Sequence, residues 1–79
     1  MQIIYRTDTK ALKKMMVEKG ISTTIQLSSL TGVNRNTLSQ VLRGEIQPSA
    51  EAMRKLVSVL EIPPEHAGEI FFSPNLRNA

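Results

Sequence analysis

The chain contains no cysteine, no tryptophan and a single histidine. Without cysteine, disulfides and thiolate metal sites are excluded. One histidine, His66, rules out a histidine-rich metal cluster, so no metal or cofactor is expected. Long apolar runs are missing as well; the longest are only a few residues, too short to span a bilayer. Met1 to Arg6 has no basic flank followed by a long apolar core, so no secretory signal is read there. Lacking an export signal and disulfides, the chain is expected in the cytoplasm, with no membrane partner.

What remains is 79 residues, enough for one small domain. A hydrophobic fraction of 41% with 22% charged residues is that of a globular fold and argues against disorder throughout. A domain of this size has a net stability of roughly 4–12 kcal/mol. With no disulfide or metal, it needs well-packed helices, a dimer partner, or both.

Charge is unevenly spread. Residues 1–44 carry seven basic side chains against two acidic ones, a balance of +5, whereas residues 45–79 carry three against five, a balance of −2. A basic half suits an anionic partner, although surface lysines also serve solubility alone.

Gly20, Gly32 and Gly44 punctuate the chain at intervals of twelve, and prolines stand at 63 and 64. The segments between them read as short helices. The first is expected from Thr9 to Lys19, capped by Thr7 or Asp8, with Leu12, Met15, Met16 and Lys19 at helical spacing. The second runs from Thr24 to Leu30, capped by Ser22 or Thr23, with Leu27 and Leu30 inward. The third follows Asn34, a good N-cap, and ends near Leu42, burying Leu38, Val41 and Leu42. The fourth begins at Ser49 and runs to Leu60, with Met53, Leu56, Val57 and Leu60 as its stripe. A fifth starts near Pro64 and turns Ile70 and Phe71 inward. Before them, Gln2-Ile3-Ile4-Tyr5-Arg6 is β-prone and is expected to pack on its own domain. Residues 73–79 read as a flexible tail. The fold class is therefore all-α, a compact bundle of four to five short helices spanning residues 1–72.

Residues 24–43, TIQLSSLTGVNRNTLSQVLR, are the most informative. Two short helices joined by Gly32-Val33-Asn34 must cross steeply, as in a helix-turn-helix. That crossing needs a small residue at the approach (Ser28), a residue tolerant of positive φ in the turn (Gly32) and an apolar plug (Val33). It also needs apolar anchors beneath the second helix, here Leu38 and Val41. The other face of that helix carries Arg35, Asn36, Ser39, Gln40 and Arg43, all rich in hydrogen-bonding groups.

Residues 12–72 resemble the phage-repressor/Cro-like helix-turn-helix family. The likeness is carried by LKKMMVEKGI, LSSLTGVNRNTLSQVLRGEIQPS, AMRKLVSVLEI and the closing EIFF. Two positions depart from the family pattern. Thr24 stands where glutamine is usual, after a one-residue expansion in Ile21-Ser22-Thr23-Thr24, and Ser28 stands where alanine is usual. The resemblance implies a lambda-repressor-like domain that regulates transcription by binding operator DNA as a homodimer. It places the third helix in the major groove, with Arg35 and Asn36 at the leading base-reading positions and Gln40 and Ser39 further along. Thr24, Asn34, Thr37, Arg43 and Gln47 are the implied phosphate contacts, giving register and affinity but no sequence information. Asn34 and Thr37 also suit plain capping roles. Two-fold pairing implies a palindromic operator; Phe72 and the Met1–Tyr5 segment are candidate pairing surfaces, with Ile70, Phe71 and the tail from Leu76 beside them.

No nucleophile has a base at suitable spacing and no glycine-rich loop could cradle phosphate, so an enzyme is not expected. His66, Glu65 and Glu69 read as a solvated face. A protein-interaction module on the same scaffold (an antirepressor, a co-repressor or an antitoxin, with another regulator as partner) is the competing expectation, since fold alone does not assign function.

Overall fold

The computed structural model describes residues 5–74. Five helices follow in order: α1 (Thr9–Glu18), α2 (Thr24–Thr31), α3 (Arg35–Leu42), α4 (Ala50–Leu60) and α5 (Pro64–Phe71). They are framed by two short strands, β1 (Tyr5–Arg6) and β2 (Ser73–Pro74). The all-α class expected from the sequence is the one observed. Among the described residues the sheet is only a two-residue antiparallel pairing, Tyr5 with Pro74 and Arg6 with Ser73.

The starts of α1 to α4 lie where side chains satisfy orphan N–H groups of a first turn. Asp8, rather than Thr7, caps α1 by accepting from the Ala11 N–H at 3.1 Å. Thr23 caps α2 through a reciprocal box: its hydroxyl accepts from Gln26 N–H, and the Gln26 carboxamide accepts from Thr23 N–H, both at 3.1 Å. The same carboxamide oxygen accepts from the backbone and hydroxyl of Ser22, at 2.8 and 3.1 Å, and so ties down the expanded loop. Ser49 is the N-cap of α4 and not its first residue. Pro64 opens α5, where its missing N–H costs nothing. At the other end of α4, Glu61 takes a left-handed conformation (φ 53°) and its carboxylate pairs with Lys19 at 2.8 Å. Lys19 is the C-cap of α1, so α1 stops one residue before the expected end. Hydrogen bonding to Lys19 holds the Glu61 carboxyl below the usual carboxylate range.

One core runs through the bundle, with Leu12, Leu27, Leu38, Val41, Leu56 and Phe71 at its centre. Leu38, Val41 and Leu42 turn one side of α3 into the core, and Arg35, Asn36 and Gln40 on its other side are exposed. The N-terminal segment is held to α5 by its backbone: Asp8 N–H donates to the Ile70 carbonyl, at 2.6 Å. Gln47 reinforces this tie from the loop between α3 and α4. Its carboxamide oxygen accepts from the backbone and hydroxyl of Thr7, both at 2.7 Å, and its Nε2 donates to the Phe71 carbonyl at 2.8 Å.

Two expectations need amending. Leu30 does not face inward; it is 59% exposed. The inner line of α2 is Thr24, Leu27, Ser28 and Thr31, spaced i, i+3, i+4, i+7. Leu30 lies about 60° to one side of Leu27 and Thr31 about 40° to the other, at 100° per residue, so only one of them can join that line. The buried position goes to Thr31, whose hydroxyl finds partners there. Ser73 and Pro74, expected as the start of a flexible tail, pair with Arg6 and Tyr5; residues 75–79, including Leu76, lie outside the described residues. Of the N-terminal segment, Tyr5 and Arg6 pack on their own domain as expected, and Met1 to Ile4 lie outside the described residues.

Candidate nucleic-acid interface

The turn between α2 and α3 is built by side chains as much as by backbone. Gly32 sits at φ 75°, in the left-handed region where a Cβ is penalised, and its N–H donates to the Ser28 carbonyl at 2.8 Å. Val33 follows, and both of its backbone polar groups are taken up by α2. Its N–H donates to the Thr31 hydroxyl at 3.1 Å, and its carbonyl accepts from the Ser28 hydroxyl at 2.6 Å. Thr31 in turn donates to the Leu27 carbonyl at 2.8 Å. Ser28 thus does more than stay small; an alanine there would leave the Val33 carbonyl without this donor.

Asn34 then starts α3. Its side-chain oxygen accepts from the N–H groups of Asn36 and Thr37 at 2.8 and 3.3 Å. The carboxamide nitrogen makes no hydrogen bond among the described residues and remains free to donate outward. Leu38, Val41 and Leu42 point into the core. Arg35, Asn36, Gln40 and Arg43 are exposed, Ser39 and Thr37 half-buried. The side chains of Arg35, Asn36 and Gln40 make no hydrogen bond to another described residue. They form an uncommitted row of donors and acceptors on a rigid helix.

Arg35 and Asn36 also line an open cleft of 390 Å³ between the starts of α2 and α3, together with Ile25, Ser28, Ser29 and Asn34. Ile25, 60% exposed, is its apolar wall. Sequence reading did not single it out, because an isoleucine inside a short helix reads as core.

The expected phosphate set divides. Asn34 and Thr37 stand at the N-terminus of α3, beside the row of Arg35, Asn36 and Gln40. Thr24 is half-buried at the first turn of α2, on that helix's inner line. Arg43 is exposed at the C-terminal end of α3, but its guanidinium is already engaged. Nε and Nη2 donate to the two carboxylate oxygens of Glu45 at 2.8 and 3.2 Å, and Nη1 donates to the Ser39 hydroxyl at 2.8 Å. That hydrogen bonding holds the Glu45 carboxyl below the usual carboxylate range. Gln47 is exposed, and its carboxamide bonds to Thr7 and to the Phe71 carbonyl. Glu45 was absent from the sequence-based set, and its spacing of two from Arg43 across Gly44 is the signal that marks it.

Elsewhere, His66 Nδ1 lies 3.1 Å from Glu69 on the exposed side of α5. Among the described residues no group of three His, Cys, Asp or Glu could hold a metal ion, and no helix is long and apolar enough to cross a membrane. The sequence model of a family described as helix-turn-helix matches residues 12–66, from the first turn of α1 into α5. No curated protein matches the chain.

Proposed function

The chain belongs to the lambda-repressor/Cro-like helix-turn-helix family of DNA-binding regulators, and from that premise we propose that it is a small phage-type repressor or Cro-like protein reading operator DNA through α3. The observation that carries this reading is the uncommitted row Arg35, Asn36 and Gln40, presented on a helix whose opposite side is locked into the core. A B-form major groove admits a helix of this width. Arg35 suits guanine O6 and N7, Asn36 suits adenine N6 and N7, and Gln40, one turn on, is the third reader. Ser39 contributes a hydroxyl. Asn34, Thr37 and Thr24 supply phosphate contacts at the helix starts, and Arg43, at the far end of α3, reaches phosphate only when its pair with Glu45 opens.

The protein works as a homodimer in the cytoplasm, at the nucleoid, on a palindromic operator. Two recognition helices spaced about 34 Å apart then meet successive major grooves on one side of the duplex. Phe72 and Tyr5, 51% and 50% exposed beside the terminal strand pair, are the pairing surface. Ile70 and Phe71 are core residues and take no part in it.

Selection of bound duplexes from a random pool, followed by shift assays on the selected sequence, tests the reading. Arg35→Ala and Gln40→Ala each lose about 1–3 kcal/mol of discrimination while keeping the parent's helical circular dichroism. If both variants bind as the parent does, α3 is not the reading head. A protein partner would then be the better account, and exposed Ile25 beside the same cleft is the feature that favours it.

A further inference from the structure

No acidic residue occurs between Glu18 and Glu45, so the whole helix-turn-helix stretch is free of carboxylates until three residues past α3. Glu45 breaks that pattern at the point where α3 ends. Its backbone N–H donates to the carbonyl of Gln40 at 2.9 Å, which fixes it against the last turn of the recognition helix. Its carboxylate takes Arg43 in a two-pronged grip, Oε2 at 2.8 Å and Oε1 at 3.2 Å. The remaining guanidinium nitrogen reaches back one turn to the Ser39 hydroxyl at 2.8 Å. All three nitrogens of Arg43 are therefore engaged within the chain.

We propose that Glu45 is a specificity-determining residue: by holding Arg43 against Ser39, it withholds one cation from the DNA backbone and sharpens the distinction between operator and other DNA. The proposal rests on the DNA-binding reading above. Phosphate contacts strengthen binding to every sequence alike, through counterion release, and carry no base information. An arginine free to join them raises affinity without raising selectivity. With Arg43 folded back, Ser39 oxygen already accepts from a cation, and its O–H remains to donate. It then serves as a donor toward acceptors on base edges, such as purine N7, guanine O6 or thymine O4. The Arg43–Glu45 pair is solvent-exposed, and such pairs open readily. Phosphate therefore competes with Glu45 for the guanidinium, and the carboxylate sets the balance.

Glu45→Gln keeps the shape and removes the charge. It is to be titrated, over a salt series, on the selected duplex and on a scrambled duplex of equal length. One added phosphate contact steepens the slope of log K against log salt by about 0.9, which corresponds to about 8-fold tighter binding of the scrambled duplex at 0.1 M salt. The selected duplex gains the same phosphate contact but loses the Ser39 hydroxyl that Arg43 had oriented toward the bases, so it gains less and the ratio between the two falls. In an Arg43→Gln background the same Glu45→Gln change gives little, because the cation it releases is gone. Unchanged scrambled-duplex affinity and slope in Glu45→Gln overturn the proposal alone. So does a full gain that persists without Arg43, which would make Glu45 a distant repulsive charge. A parent that binds no duplex even at low salt overturns the DNA-binding reading, and the proposal with it.

Discussion

At the residue scale, the polar side chains near α3 divide by whether a hydrogen-bond partner lies within the chain. Arg35, Asn36 and Gln40 have none among the described residues, whereas Ser28, Thr31, Gln26 and Gln47 are spent on backbone groups. Thr31 is the sharpest case, 5% exposed and holding the N–H of the turn residue Val33. Thr31→Val keeps the side-chain shape and leaves that N–H without its acceptor, a loss of about 1–3 kcal/mol. For a domain of this size each kcal/mol lowers the melting temperature by about 4–8 °C. Thr31→Ser keeps the hydroxyl and should melt above Thr31→Val in a thermal scan followed by circular dichroism. The reverse order would mean that the methyl group, not the hydrogen bond, earned Thr31 its place.

At the scale of elements, side-chain caps begin α1 to α4 and Pro64 opens α5, and the helix starts fall within a residue of the expected ones. Legibility failed in α2. Its apolar residues Ile25, Leu27 and Leu30 do not share a face, and its buried line includes two threonines and a serine. Periodicity of apolar residues cannot reveal a face built from hydroxyls, whose value depends on backbone partners supplied by the turn. The Gln47 tie has the same character. It joins the chain start to the end of α5, with sequence separations of 40 and 24 residues. Gln47→Ala strands the Thr7 N–H and the Phe71 carbonyl together, and should cost at least about 2 kcal/mol by denaturant titration. The folded variant should still bind the selected duplex as the parent does. If instead stability holds and DNA affinity falls, Gln47 is the phosphate contact that the family resemblance implied.

At the scale of the whole molecule, the basic half of the chain contains the helix-turn-helix, and the acidic half, apart from Glu45, follows it in α4 and α5. The strand pair that closes the fold sets Tyr5 opposite Pro74, two residues after Phe72, and both rings are half-exposed in the single chain. Burying them in a two-fold contact would tie DNA affinity to protein concentration. Sedimentation of the parent should show a dimer that Phe72→Ser shifts toward monomer, with shift-assay binding to the palindrome becoming shallower and weaker. A parent that stays monomeric at every concentration and on DNA would remove the two-fold model while leaving the role of α3 intact.

Local chemistry was enough to read, from the order of residues alone, where the helices start, which side of α3 is apolar and what kind of ligand its polar side suits. Capping, glycine in the turn and periodicity each act within a few residues, so the linear order already contains them. The tertiary structure decided which polar groups remain available. Thr31 was drawn inward at the expense of Leu30, Gln47 was turned to the chain ends, and Arg43 was folded onto Glu45 and Ser39. A hydrogen-bonding side chain goes to whichever partner the packed backbone brings within about 3 Å, and that partner is named only when the elements meet.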